Sequence, residues 1–323
     1  MREEVSEYTF PTDLWYGEGE VSVEFPENWT VEKYDMKGHK ASTISKEDIR
    51  KAIEDPIGSR PIEEDAEGAD SAVILFDDMT RPTDPKKVAP LVLEKLEEAG
   101  VPEDSIRFIM AQGAHRTHSR YDFAKKLGED IIDNYPVFPH NPFHNCVRID
   151  TTSFGTPVEI NADFMDCDYK IGIGSIIPHP QCGYGGGGKI VVPGVSSMET
   201  IRKNHLLSIT PRGELTSDAG WGCCDSNTHK QDVEEMVNMS GLDFKIDFLL
   251  NCKGQMTDIF SGDPIEEHNK GIRKAKKHYK TKKAKSVDIV IANAYCKANE
   301  AGLVISQVED TLKKSGGTIT SSY

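Results

Sequence analysis

The chain has 323 residues, 37% hydrophobic and 28% charged, with a formal net charge of −15 at pH 7. Such a chain can bury a substantial core, and its negative field argues against a general binder of nucleic acid or of anionic membrane. No apolar run approaches the roughly 20 residues that span a bilayer, and the acidic N-terminus MREEVSEYTFPTDLWYG lacks the apolar stretch of a signal peptide, so a cytoplasmic protein is expected.

The first seventy residues mix β-prone VSVEF (21–25) with acidic stretches, and EEDAEGAD (63–70) reads as an exposed loop. SAVILFDD (71–78) is an apolar strand ending on two aspartates. In the segment that follows, Val88, Leu91, Val92 and Leu96 recur at helical spacing, and Gly100 closes the helix. SIRFIMAQGAH (105–115) completes a strand–helix–strand unit. This alternation predicts an α/β fold with a mostly parallel sheet flanked by helices. Residues 120–134 read as helix, CVRID and PVEIN as short strands, and DYKIGIGSIIPHP (168–180) as a buried strand running into a loop. In SSMETIRKNHLLS (196–208), Ser196 with Glu199 three residues on predicts a capping box. Residues 230–250 give another helix and strand.

GIRKAKKHYKTKKAKS (271–286) holds eight Lys or Arg and no acid, which predicts a solvated helix or a linker. SVDIVIANAY (286–295) then reads as a strand, EAGLVISQVEDTLKKSGG (300–317) as a helix and TIT as one more strand. The expected organisation is a large α/β domain over 1–270, a basic helix or linker over 271–286, and the start of a second, incomplete α/β domain over 287–323. Seven cysteines without a C-x-x-C pair fit neither a disulfide framework nor a structural zinc site. Cys223-Cys224 with Asp225 and His229 is a grouping that could hold a metal, unreactive thiols being the plainer account.

In open α/β sheets ligands bind beyond the carboxyl ends of the strands. Four polar clusters fall at predicted strand ends: Asp77, Asp78, Thr80 and Arg81; Gln112, His115 and Arg116; His179 and Lys189; Asn293 and Tyr295. Asp78 alone could be a helix cap, and a lone histidine is more often structural than catalytic; convergence by topology favours a site. HPQCGYGGGGKIVVPG (179–194) has almost the spacing of a phosphate-cradling loop. That reading needs Ser or Thr after the lysine to hold magnesium, and a helix starting there. Ile190 follows Lys189, and Pro193-Gly194 closes a β-branched run, so it fails twice. What remains is a flexible backbone and an amine in a crowded place, where a lysine can become a nucleophile or a covalent anchor. His205 stands in the last turn of the capped helix, where one imidazole could complete a square-planar centre with donors from a cofactor.

These residues together resemble the lactate racemase family. Its D-x-T-R-P motif matches Asp78 to Pro82, and its G-x-H-R motif matches Gly113 to Arg116. A short His-Asp motif is matched by His144-Asn145, with Asn in place of the acid. The long signature matches Pro178-His179, Gly185 to Lys189, Pro193-Gly194-Val195 and Asn204-His205. The resemblance implies a nickel-pincer nucleotide, pyridinium-3,5-bisthiocarboxylic acid mononucleotide nickel, anchored on Lys189 with His205 as the metal ligand. It implies that Asp78, Thr80, Gly185, Gly186, Gly187 and Gly188 support the cofactor, the glycines clearing space for it. His115 and His179 would be paired acid/base residues and Arg81 the substrate-carboxylate residue. The implied activity is a racemase or epimerase of a 2-hydroxy acid. Partners would be that small acid and the cofactor-making proteins, with no nucleic acid or membrane. The family's Tyr-Gln-x-x-Lys segment is not preserved in YCKANEAGLVISQ (295–307), which points to a 2-hydroxy acid other than lactate. Two other readings stay open: a nucleotide- or metal-binding homologue without turnover, and a metal-dependent hydrolase.

Overall fold

In the computed structural model, residues 5–12, 15–16, 19–282 and 288–293 are described. Six strands form the central sheet: β1 (Ala72–Asp77), β2 (Ile106–Ala111), β3 (Val137–Pro139), β4 (Tyr169–Ser175), β5 (Phe244–Leu250) and β6 (Met256–Gly262). Their order across the sheet is β3-β2-β1-β4-β5-β6. The first five are parallel, and β6 pairs antiparallel with β5. This is a doubly wound arrangement, and the order reverses direction between β1 and β4. At that point the crossovers leave toward opposite sides and open a crevice at the strands' carboxyl ends.

β1 shows why the sheet is buried on both faces. Ile74 and Phe76 join one apolar cluster with helix α1 (Ala89–Glu98), while Val73 and Leu75 join another on the opposite face. Successive strand side chains point to opposite sides, so a continuous apolar run belongs between two layers. The second face is covered by Ile190 to Val192 of the glycine-rich segment and by Val233, Met236 and Val237. Those last three lie on helix α4 (Thr228–Ser240). Helix α2 (Arg120–Leu127) ends at Gly128, whose φ of +87° breaks the single helix expected over 120–134 into two. CVRID and PVEIN form their own antiparallel hairpin outside the main sheet.

Helix α3 (Met198–Leu206) is capped one residue later than expected. Ser197, not Ser196, accepts from the Thr200 N–H, so Glu199 completes no capping box. The basic stretch begins within helix α5 (Glu266–His278), which buries Gly271, Ile272 and Ala275. Residues 288–293 form no strand, and Ile289 and Ile291 are exposed. The rest of that expected strand, and the helix and strand expected beyond it, lie outside the described residues. Among the described residues no helix is long and apolar enough to cross a membrane.

Candidate active site

Residues of three of the four expected loop clusters meet in one cleft at the switch point, although Thr80, Arg116 and His179 are not among those lining it. It is lined by Asp77 at the end of β1 with Asp78 and Arg81 beyond it, by Gln112, Gly113 and His115 after β2, and by Gly174 and Ser175 at the end of β4. Gly185, Gly186 and Lys189 close it from the glycine-rich loop. Asn293 is elsewhere, donating to the Pro11 carbonyl, and Tyr295 lies outside the described residues.

A hydrogen-bonded chain runs along one wall. Asp78 Oδ1 accepts from the Thr80 N–H at 3.0 Å and from Thr80 Oγ1 at 2.6 Å. Arg81 Nη1 in turn donates to Thr80 Oγ1 at 2.8 Å. Asp78 Oδ2 takes the Nδ1 proton of His115 at 2.5 Å. Burial alone would raise the Asp78 carboxyl, but the bond from His115, the charge of Arg81 and the bond from Thr80 hold it well below the usual range. Asp78 is therefore no helix cap: it fixes the His115 tautomer and leaves Nε2 as the free lone pair. Arg81 has no ion pair with an acid among the described residues, so its guanidinium can meet an incoming carboxylate.

Opposite stands Lys189. Its Nζ is buried and has no hydrogen-bond acceptor. Burial holds its pKa below the ordinary lysine range; the Cys182 thiol opposes that shift and Arg81 adds to it. A buried amine with no partner and a lowered pKa has the properties of a nucleophile or an attachment point. Beyond it lie three imidazoles. His205 Nδ1 faces the Ile201 carbonyl at 2.8 Å; a carbonyl only accepts, so Nδ1 carries the proton and Nε2 is the available ligand atom. Burial, with Lys189 close by, depresses His205 to about 4, which keeps it neutral as a metal ligand must be. His229 packs edge-on against His205 with ring centroids 5.0 Å apart, and lies 6.5 Å from His179. Neither His229 nitrogen has a partner although the residue is 1% exposed. His179 Nδ1 accepts from the backbone N–H groups of Gln181 at 3.2 Å and Cys182 at 3.3 Å.

The lactate racemase N-terminal domain matches this chain over residues 16–216. The chain belongs to that family. It is 27% identical over 285 residues to a lactate racemase of Thermoanaerobacterium thermosaccharolyticum, covering 87% of this chain and 66% of the relative. It is 31% identical over 229 residues to a lactate racemase of Lactiplantibacillus plantarum, covering 70% of this chain and 52% of the relative. The chain thus spans between half and two thirds of the relatives it matches. The apoprotein structure of the T. thermosaccharolyticum lactate racemase superposes with a TM-score of 0.71 at 25% identity, covering 88% of this chain and 64% of that one. A Thermotoga maritima protein shares the fold, with a TM-score of 0.58 at 21% identity, covering 72% and 59% of the two chains.

Within the lactate racemase framework the glycine loop works differently from the sequence-based expectation. A Cβ on Gly186 would strike Asp247, one on Gly187 would come within 2.5 Å of the His268 ring, and one on Gly188 would strike Val237. Only at Gly185 is the space ordinary, the nearest atom being 3.6 Å away. These three glycines let the loop lie against Asp247 of β5, His268 of α5 and Val237 of α4. The Gly187 N–H is taken by Asp247 Oδ2, so it is not offered to a phosphate. No α-helix starts at Lys189; a 3-10 turn covers Gly187–Ile190.

Sequence reasoning missed what lies beneath that loop. Lys245 Nζ donates to Asp247 Oδ1 at 2.5 Å, and both residues are fully buried. His268 Nε2 donates to the Gly185 carbonyl at 3.0 Å. Burial, with Asp247 beside it, pushes the Glu267 carboxyl well above the carboxylate range. The available signal was FKIDFLL, where Lys245 and Asp247 interrupt a buried strand two residues apart and so share a face. The Cys223, Cys224, Asp225 and His229 grouping separates: Cys223 is exposed, Asp225 faces Lys276, and His229 joins the imidazoles. Among the described residues no group of three or more His, Cys, Asp or Glu is placed to hold a metal. His144 is exposed and does not line the cleft.

Proposed function

We propose that the chain is a racemase or epimerase of a small 2-hydroxy acid, carrying a nickel-pincer nucleotide on Lys189. The observation that carries this reading is the buried, partnerless Lys189 amine in the wall of the switch-point cleft. Three further features fit the same group. His205 offers one neutral ring nitrogen, one imidazole being what a metal already held by a pincer lacks. The unpartnered nitrogens of buried His229 mark polar space beside it. The loop carrying Lys189 is pinned from below by Asp247 and His268, which fixes where the amine stands.

The bound cofactor would supply the hydride acceptor that the weakly acidic α-carbon of a 2-hydroxy acid requires. The chain's own residues would do the rest. Arg81 binds the substrate carboxylate. His115 Nε2 takes the hydroxyl proton, and the Asp78 carboxylate balances the imidazolium that forms. His179 would be the second histidine of the acid/base pair, although it is not among the residues lining the cleft. Arg81 would also hold the planar 2-oxo acid through its carboxylate.

Production together with the cofactor-making enzymes tests this. Intact mass should show one covalent adduct, lost in Lys189→Ala, with about one nickel per chain. No adduct, with wild type and Lys189→Ala alike, would sink the reading. A chiral screen of lactate, malate, 2-hydroxyglutarate and sugar acids with the loaded protein then identifies the substrate.

A further inference from the structure

Two glycines of β4 leave a lane across the middle of the sheet. A Cβ on Gly172 would come within 2.9 Å of Lys245 Cδ. One on Gly174 would stand 3.2 Å from Lys245 Nζ, 3.2 Å from Asp247 Oδ1 and 3.8 Å from Asp77 Oδ2. The Lys245 stem therefore lies along Gly172 and delivers its ammonium over Gly174, between a carboxylate of β1 and one of β5. Asp77, Gly174 and Lys245 all line the cleft. Where another strand residue would hold a side chain, the cleft floor has a gap edged by an amine and an acid.

That gap keeps unused hydrogen-bonding capacity. An ammonium has three donors. Among the described residues Lys245 Nζ uses two, on Asp247 Oδ1 at 2.5 Å and on the Ile246 carbonyl at 3.0 Å. Asp77 takes one donor on each oxygen, Lys126 Nζ at 2.8 Å and Thr83 Oγ1 at 2.6 Å, where a carboxylate oxygen can accept two. Ser175, next along β4, lines the same cleft with a buried hydroxyl that has no partner. Buried polar groups are nearly always bonded, so a donor, an acceptor and a hydroxyl left open together call for a bound molecule that completes them.

Charge decides what kind of group fits. Lys126 balances Asp77, and Lys245 balances Asp247, so the floor is neutral as a whole. A carboxylate or phosphate placed there would meet one ammonium with two carboxylates beside it, and the repulsion offsets the attraction. An alcohol meets no such conflict, because its oxygen accepts from Lys245 while its proton goes to Asp77 Oδ2.

The geometry points to a hydroxyl-binding subsite on the cleft floor, formed by Lys245, Asp77 and Ser175 around Gly174, in addition to the carboxylate site at Arg81. Resting on the hydroxy-acid reading above, its occupant is a further hydroxyl of a polyhydroxy acid substrate or a sugar hydroxyl of the nucleotide. The alcohol chemistry is shared, and the experiment separates the two sources.

Gly174→Ala places a methyl group in the gap, and Ser175→Ala removes one hydroxyl from its edge. Loaded wild type and both variants are compared on lactate, glycerate and aldonic acids, with nickel and covalent adduct per chain measured on each. Nicotinic acid mononucleotide, a pyridinium mononucleotide, is titrated calorimetrically into the cofactor-free proteins. With a substrate hydroxyl in the subsite, wild type favours the polyhydroxy acids over lactate by about tenfold or more in kcat/KM, the scale of a hydrogen bond to a charged group. Both variants then shrink that preference with loading unchanged. With a nucleotide hydroxyl there, the preference is absent, and both variants instead bind the mononucleotide about tenfold more weakly and carry less nickel. Wild-type acid preference, nickel content and mononucleotide affinity in both variants would overturn the subsite. Should Gly174→Ala not fold by circular dichroism, Ser175→Ala decides on the same readouts. If loaded wild type turns over no acid, the hydroxy-acid reading fails, and the subsite then stands or falls on mononucleotide affinity alone.

Discussion

Asp78 holds three donors on one buried carboxylate: the Thr80 backbone, the Thr80 hydroxyl and His115. Thr80 also receives Arg81, so a change at Asp78 reaches both the base and the carboxylate-binding guanidinium. Asp78→Asn puts an amide where two negative oxygens accepted, and its N–H₂ end cannot take the His115 proton. On the proposed function, the loaded variant should keep its secondary structure and lose turnover by roughly 10²–10⁴-fold, the scale of a mis-set catalytic tautomer. Unchanged turnover would remove Asp78 and His115 from the chemistry. The motif Asp78 to Pro82 was legible because its members are neighbours in sequence. That His115 is the partner was not, since the contact joins residues 37 apart through the pairing of β1 with β2.

At the scale of elements, the glycine loop is fitted to what lies under it. Gly187 has φ +51° and faces the His268 ring; at Gly185 a Cβ would make only ordinary contact with Ile177. Gly187→Ala should therefore destabilise by about 1–3 kcal/mol through overpacking and backbone strain. Gly185→Ala should cost under about 1 kcal/mol. Urea unfolding of the two variants side by side checks this, and equal midpoints would contradict the packing described. The run of glycines is plain in the sequence, but its reason is not. A glycine looks the same whether its missing side chain would have met a ligand or the protein, and only the positions of Asp247, His268 and Val237 decide.

For the molecule as a whole, buried imidazoles make stability depend on acid. His118, His140, His179, His205, His229 and His268 are all held below the ordinary 6.5, first by burial. His140 and His205 fall to about 4. Between pH 6.5 and 4 the unfolded chain therefore binds more protons, so stability rises with pH and is lost on acidification through that window. An imidazole shifted from 6.5 to about 4 contributes about 3 kcal/mol of that loss. Asp77, Glu267 and Asp243, the last raised to about 6 by burial, act in the opposite sense, but six imidazoles outweigh three carboxyls. The urea midpoint of the cofactor-free protein should be clearly lower at pH 5 than at pH 7.5; a flat or inverted profile would contradict the burial of these rings. The sequence by itself determined the buried strands, their helical crossovers and the motifs at the strand ends, because periodicity and loop chemistry are local. It also excluded a magnesium-binding P-loop, since Ile190 and Pro193 act through their immediate neighbours. Only the tertiary structure decided the order β3-β2-β1-β4-β5-β6, which sets β1 beside β4 and gathers three loops into one cleft while leaving Asn293 outside. It also decided the proton positions on His115, His179 and His205, because a ring's tautomer is fixed by whether a donor or an acceptor faces it, and those partners come from the folded backbone and from a carboxylate distant in sequence.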